Sequence, residues 1–222
     1  MIENASGLVL RVRPLTETSL IVQWLTPQLG RLATVAKGAR RPKSPFRGKL
    51  DLFYLADFSF SRSRRSDLHT LREVNLLETH NALREDLGRL RQASYGGSLI
   101  EQTTETETPM PELHALMTGF LKHLVRREPH PQNIFSLELK LLGLLGLEPD
   151  LEKSQLKPGT RQLVKLLRAD DWDATARLKL SDAQISELRQ FLHGFLIYHL
   201  DRIPRGRAAA LGLPESPAHP PA

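Results

Sequence analysis

The chain contains no cysteine in 222 residues. That absence removes disulfides, thiolate metal sites and thiol nucleophiles together, and it fits a compartment that is not oxidising. Long apolar runs are missing as well. The greasiest stretch, Leu137 to Leu147, is interrupted by Glu138, Lys140 and two glycines, and the first ten residues hold no basic region followed by an apolar one. Neither a signal peptide nor a membrane span is expected, and the expected address is the cytoplasm. The signatures of common catalysis are absent too. Gly48-Lys49 runs into Leu50 without the upstream glycine of a phosphate-cradling loop, and there is no H-E-x-x-H or G-x-S-x-G. His193 and His199 stand six apart, on different faces of a helix, and the acids Glu101, Glu105 and Glu107 fall on a polar helix end rather than in a two-metal cluster. No enzymatic activity, cofactor or metal is expected.

What the chain does have is positive charge, placed unevenly. The formal net charge is +6; residues 1–80 hold 13 Lys and Arg against 7 Asp and Glu, and the rest hold 18 against 18. The whole excess lies in the first third, which points to a polyanionic partner for that part.

That third reads as strands. Leu8–Val12, Ser19–Thr26, Arg31–Ala36, Leu50–Ser61 and Leu68–Leu76 are short runs rich in β-branched and aromatic residues, separated by turn residues such as Pro27 to Gly30. Five short strands in about 75 residues predict a small closed sheet, OB-like or SH3-like. Beyond residue 80 the period becomes helical. Helices are predicted from Ala82 to about Thr106, from Thr108 with Pro109 at its first position, from about Gln132 to Leu145 ahead of Gly146, over Arg161–Arg168, and over Ala183–Asp201 behind a Ser181/Gln184 capping box. The predicted organisation is α+β: a nucleic-acid-binding barrel over 1–80, an α-helical domain over 81–210 and a disordered proline-rich tail over 211–222.

One segment carries most of the charge. Lys37, Arg40, Arg41, Lys43, Arg47 and Lys49 occupy a 13-residue connection between two strands, with no acid among them and with prolines and glycines that forbid a helix. Cations on a mobile loop suit phosphates, and Phe46, with polar neighbours, is the candidate to stack on a base. Trp24, Phe58 and Phe60 are further aromatic candidates, although core packing suits the two phenylalanines better. Arg62, Arg64 and Arg65 in a later hairpin form a second cluster, and Arg11, Arg13 and Arg31 could join the same side. About six phosphate contacts on a single strand would give a log–log salt slope near −4.

The residues also carry a family resemblance. L-V-L-R-V-R-P-L-T-E-T-S-L-I-V (Leu8 to Val22), T-P-Q-L-G-R-L-A-T-V-A-K-G-A-R-R-P-K-S (Thr26 to Ser44) and T-L-R-E-V-N-L-L-E (Thr70 to Glu78) resemble the RecO family of bacterial recombination mediators, with the Gly30 to Arg41 portion the most specific. A weaker likeness continues through Leu137–Pro149 and Ser186–Leu200. The resemblance implies an N-terminal OB fold and a helical domain, DNA repair and recombination at the nucleoid, binding of single- and double-stranded DNA, annealing of complementary strands, and loading of RecA onto DNA coated by single-strand-binding protein. It implies RecR and the acidic C-terminal tail of the coating protein as partners, and it carries DNA contact to Arg31, Lys37, Arg40, Arg41 and Lys43. Many members hold zinc with four cysteines after the segment matching Leu147–Pro149; here the chain reads E-K-S-Q-L-K-P-G, so zinc is not expected and Leu147–Thr160 must be held by packing or stay mobile. An acidic tail would need a basic-rimmed apolar groove, for which Lys122, Arg126 and Arg127 are candidates. The competing reading is an adaptor whose helical domain does the work and whose barrel tethers it to RNA or DNA.

Overall fold

The computed structural model describes residues 2–169 and 171–213. Five strands come first: β1 (Ile2–Pro14), β2 (Leu20–Thr26), β3 (Gly30–Ala36), β4 (Leu55–Ser61) and β5 (Leu68–Glu78). They close into a barrel in the order β1-β2-β3-β5-β4, antiparallel except where β3 and β5 run parallel. This is the OB arrangement, and it decides between the two small barrels the sequence allows. Alternate residues fill the interior, among them Val9, Val22, Trp24, Leu32, Phe58, Phe60, Leu71 and Val74. Trp24 stacks on Phe58 with ring centroids 4.1 Å apart, and its indole N–H donates to Thr34 Oγ1 at 2.9 Å, so the one polar atom it buries is satisfied. A register irregularity between Val9 and Arg11 bends β1, which pairs with β4 along its first half and with β2 along its second.

The strand predicted over Leu50–Ser61 begins only at Leu55. Phe53 adopts a positive φ of 62°, and its N–H and the Tyr54 carbonyl bond back to Val9, so the chain turns here instead of extending.

The outer face of β1, β2 and β3 is apolar as well. The pairing rows put Leu8 beside Leu25 and Ile21 beside Val35, all four buried yet outside the interior cluster. Residues 100–121 belong to the same compact unit as residues 2–81 and bring Ile100, Leu113, Met117 and Phe120 as buried apolar side chains. A single boundary at residue 80 is therefore too simple. Gly30 marks how closely the returning segment approaches: its φ is +68°, and a Cβ there would stand 2.2 Å from the Thr108 carbonyl oxygen.

The helices are α1 (Ala82–Glu85), α2 (Leu87–Thr103), α3 (Pro111–Arg126), α4 (Pro131–Leu144), α5 (Pro158–Arg168), α6 (Trp172–Arg177), α7 (Asp182–Leu200) and α8 (Arg207–Ala210). A break at Asp86 splits the helix predicted from Ala82. The next opens on Pro111 rather than Pro109, because Thr106 bridges to Arg31 and Glu107, at φ 56°, turns the chain before the helix. Gly146, at φ 71°, follows the end of α4, and both capping-box bonds at Ser181 and Gln184 form ahead of α7.

The second unit comprises residues 82–99 and 122–213. Its central helix is α4, buried at every position from Gln132 to Leu142, which explains a run that is apolar all round yet carries polar residues. Those residues are bonded: Ser136 Oγ and Lys140 Nζ both donate to the Leu167 carbonyl. Among the described residues no helix is long and apolar enough to cross a membrane. Leu147–Thr160 is held by packing, with Leu151 and Leu156 buried and Arg161 donating to the carbonyls of Ser154 and Leu156. Most of the tail predicted as disordered, residues 214–222, lies outside the described residues; Leu211, at its start, is buried.

His123 lies inside this unit. Asn133 gives its amide N–H groups to Gln92 and the Glu128 carbonyl, so its oxygen accepts from His123 Nε2–H at 3.0 Å. Burial pulls the imidazole below its usual range, the Asn133 bond offsetting only part of that. Since the folded form resists a proton that the unfolded chain accepts, stability should be full above pH about 6.5 and decline as pH falls towards the folded value. Urea melts at pH 5 and 7.5 should show a smaller loss on acidification for His123→Gln than for the wild type.

Candidate nucleic-acid interface

The basic connection between β3 and β4 is a chain of tight turns rather than a mobile loop. Backbone bonds link Arg41 to Gly38, Ser44 to Arg41, Arg47 to Ser44 and Lys49 to Phe46, and the Arg40 N–H donates to the Thr18 carbonyl in the β1–β2 turn at 2.9 Å. Phe46 is only 7% exposed and packs into the barrel cluster. It anchors the loop and offers no face to a base, a correction that follows from its ring being the one apolar group the segment can bury. Trp24, Phe58 and Phe60 are equally buried, so none of the four aromatics is a stacking platform.

The cations divide by environment. Lys37, Arg40, Arg41, Lys43 and Arg47 are exposed and form no ion pair among the described residues; Arg40 and Arg47 touch only the carbonyls of Thr16 and Pro42. Lys49 is half-buried, its ammonium donating to the Val74 carbonyl at 3.2 Å. It borders a groove of about 780 Å³ in which Lys49 and Arg72 are matched by Asp57 and Glu73, so its lining carries no net formal charge to attract a phosphate.

Two predicted contacts are already engaged. Arg31 donates to the hydroxyl and carbonyl of Thr104 at 2.7 and 2.6 Å, and burial pulls its guanidinium below the usual range. Arg62 is gripped by two carboxylates, with bonds of 2.7 and 3.0 Å to Glu3 and 2.8 and 2.9 Å to Glu107. The Glu3 bond above all, with the charges of Glu107 and Glu3, raises the Arg62 pKa despite the opposing effect of burial, which marks a charge already balanced. Glu107 also accepts from His69 Nε2 at 2.5 Å, the other ring nitrogen taking the Ser63 N–H. Arg64 and Arg65 remain exposed without an ion pair among the described residues. Glu107 ties their turn to Arg31, whose carbonyl accepts the Glu107 N–H. Arg31 and Lys37 lie at opposite ends of β3, six residues or about 20 Å apart, so the two basic clusters do not merge into one groove.

In the second unit, Lys122 and Arg126 are exposed on α3 and Arg127 just beyond its end, with Arg127 bonded to Asp173 at 3.0 Å, and none of them borders an apolar cavity described there. An apolar cavity of about 520 Å³ lies elsewhere. Ile203, Pro204, Ala208 and Leu211 supply its walls and the exposed Arg189 its one unburied guanidinium, since Arg207 in the lining is buried and bonded to Glu138. Sequence patterning misses it because α8, which completes it, is a four-residue turn with no periodic signal.

Comparison with known proteins agrees with this architecture. The family model described as Recombination protein O N terminal matches residues 1–80, and Recombination protein O C terminal matches residues 84–155. The chain is 27% identical to DNA repair protein RecO of Bacillus subtilis strain 168, over 86% of this chain and 87% of that protein. It is 30% identical to the protein of that name from Bacillus pumilus, over 69% of this chain and 59% of the relative. It is 35% identical to that of Symbiobacterium thermophilum, over 67% and 58%. The last two alignments thus span less than two thirds of those relatives.

Proposed function

We propose, because this chain belongs to the RecO family of DNA repair and recombination proteins, that it is a non-catalytic mediator in the cytoplasm: it binds single- and double-stranded DNA, anneals complementary strands and helps load RecA onto DNA coated by single-strand-binding protein. The observation that carries the reading is the set of five exposed, acid-free cations, Lys37, Arg40, Arg41, Lys43 and Arg47, on a loop fixed to an OB barrel. Five phosphate contacts on a single strand correspond to a salt slope of about −3.5, a loss of roughly a hundredfold between 50 and 200 mM salt. Annealing follows because a cationic surface that screens the phosphates of one strand lowers its repulsion for the complement. The acidic tail of single-strand-binding protein fits the cavity beside Arg189, where apolar walls meet an exposed guanidinium, better than it fits Lys122–Arg127, which border no apolar cavity. RecR is a further partner in this reading.

The test is fluorescence-detected annealing of two complementary strands coated with single-strand-binding protein, without nucleotide or metal. Acceleration that fades with salt along the stated slope supports the mediator. No acceleration would remove annealing and favour an adaptor that uses its barrel only as a tether.

A further inference from the structure

Thr16-Glu17-Thr18-Ser19 joins β1 to β2 and stands beside the basic loop, because Leu20 pairs with Ala36 and both connections leave from that pair. One hydroxyl shapes this turn. Thr16 Oγ1 accepts the backbone N–H groups of Thr18 and Ser19 at 3.3 and 3.1 Å, and the Ser19 carbonyl accepts those of Leu15 and Thr16 at 3.0 and 3.4 Å. A side-chain oxygen here takes the place of a backbone acceptor, as threonine does in tight turns.

The loop rests on that turn chiefly through Arg40. Its N–H donates to the Thr18 carbonyl at 2.9 Å and its guanidinium to the Thr16 carbonyl at 3.4 Å, while the Gly38 N–H reaches Ser19 Oγ at 3.4 Å. The Thr18 carbonyl and the Ser19 N–H belong to one peptide unit, which is planar and trans, so the two groups point in opposite directions. With the N–H turned inward to Thr16 Oγ1, the carbonyl is turned outward to Arg40. The placement of one cation of the loop is thus set by a hydroxyl on another turn, 24 residues earlier.

We propose that Thr16 is a positioning residue for DNA binding: its hydroxyl orients the Thr18–Ser19 peptide, and that peptide fixes where Arg40 meets a phosphate. Thr16 touches no phosphate itself and acts through Arg40. This rests on the reading of the Lys37–Arg47 cations as the DNA contact. Without the hydroxyl the other cations keep their own turns, and Arg40 alone loses its register with them.

The experiment is anisotropy titration of a labelled oligothymidylate of about 16 nucleotides, long enough for one OB site, across a salt series, with amide hydrogen exchange at Arg40 on the same proteins. Thr16 is exposed, so Thr16→Val keeps the fold and removes only the hydroxyl. It should weaken binding several-fold, flatten the log–log slope by about 0.7, the contribution of one phosphate contact, and speed exchange of the Arg40 amide. Thr16→Ser should restore all three. Thr18→Val makes the same change at a hydroxyl that bonds to nothing among the described residues, and should match the wild type. In an Arg40→Gln background Thr16→Val should cost no further slope. An unchanged slope in Thr16→Val, an equal effect of Thr18→Val, or a loss that persists without the Arg40 guanidinium would overturn the proposal. Arg40→Gln alone separates the two readings: if it leaves the slope as in the wild type, the loop reading itself fails, and if it flattens the slope while Thr16→Val does not, only the positioning role fails.

Discussion

Arg40→Glu/Arg41→Glu should abolish strand annealing and weaken single-strand binding on the order of a hundredfold, while the protein remains folded. Both side chains are exposed and contact no acid among the described residues, so reversing them removes two charge-assisted contacts without orphaning a partner. Three of the five cations would remain, and the salt slope should fall from about −3.5 to about −2. That change of slope separates lost phosphate contacts from a general loss of activity. The backbone N–H of Arg40, which pins the loop to Thr18, survives the substitution, so loop geometry is retained. An unchanged slope with reduced affinity would place the DNA contact elsewhere.

The largest effect on stability is expected from Arg207→Ala. Arg207 reaches across the second unit to grip Glu138 with two parallel bonds of 2.7 and 2.8 Å, and Tyr95 donates its hydroxyl to the same carboxylate at 2.6 Å. The Glu138 side chain is fully buried. Burial, together with the Glu138 charge, pushes the Tyr95 hydroxyl well above its usual range, which keeps it a donor at any physiological pH. Removing the guanidinium strands a carboxylate inside the helical core, at a cost of about 3–5 kcal/mol. Arg207→Met/Glu138→Gln removes both charges and keeps an acceptor for Tyr95, so it should lose far less. Urea denaturation of the two variants reads the difference; similar midpoints would mean the pair contributes little beyond its packing.

Much of the fold was legible because its signals are local. Alternating Val, Leu and Phe mark three of the five strands closely, while β1 begins six residues before the predicted Leu8; Gly146 and the Ser181/Gln184 box mark helix ends, and the lack of acids between Lys37 and Lys49 marks the basic loop. What was not legible depends on partners distant in sequence. Arg31 and Lys37 look alike in the chain, yet the first meets Thr104, 73 residues on, and the second meets solvent. Arg62 resembles Arg64 and Arg65 until Glu3 and Glu107 close on it. Phe46 has polar sequence neighbours and an apolar spatial environment. Charge counting finds the face; only the tertiary fold tells which of its charges are already answered. The same limit applies to residues 100–121, which the helical period assigns to the second half and the close approach at Gly30 returns to the barrel.

The burial of Phe46 has an entropic consequence for recognition. A slack 13-residue connection would surrender about 1 kcal/mol or more of conformational freedom for each residue it had to immobilise on a strand. Here that ordering is completed during folding, by one ring in the barrel and a ladder of turns behind it. On the proposed reading the cations would meet DNA at preset spacings, and the free energy of counterion release would go into holding the strand rather than into taming the loop.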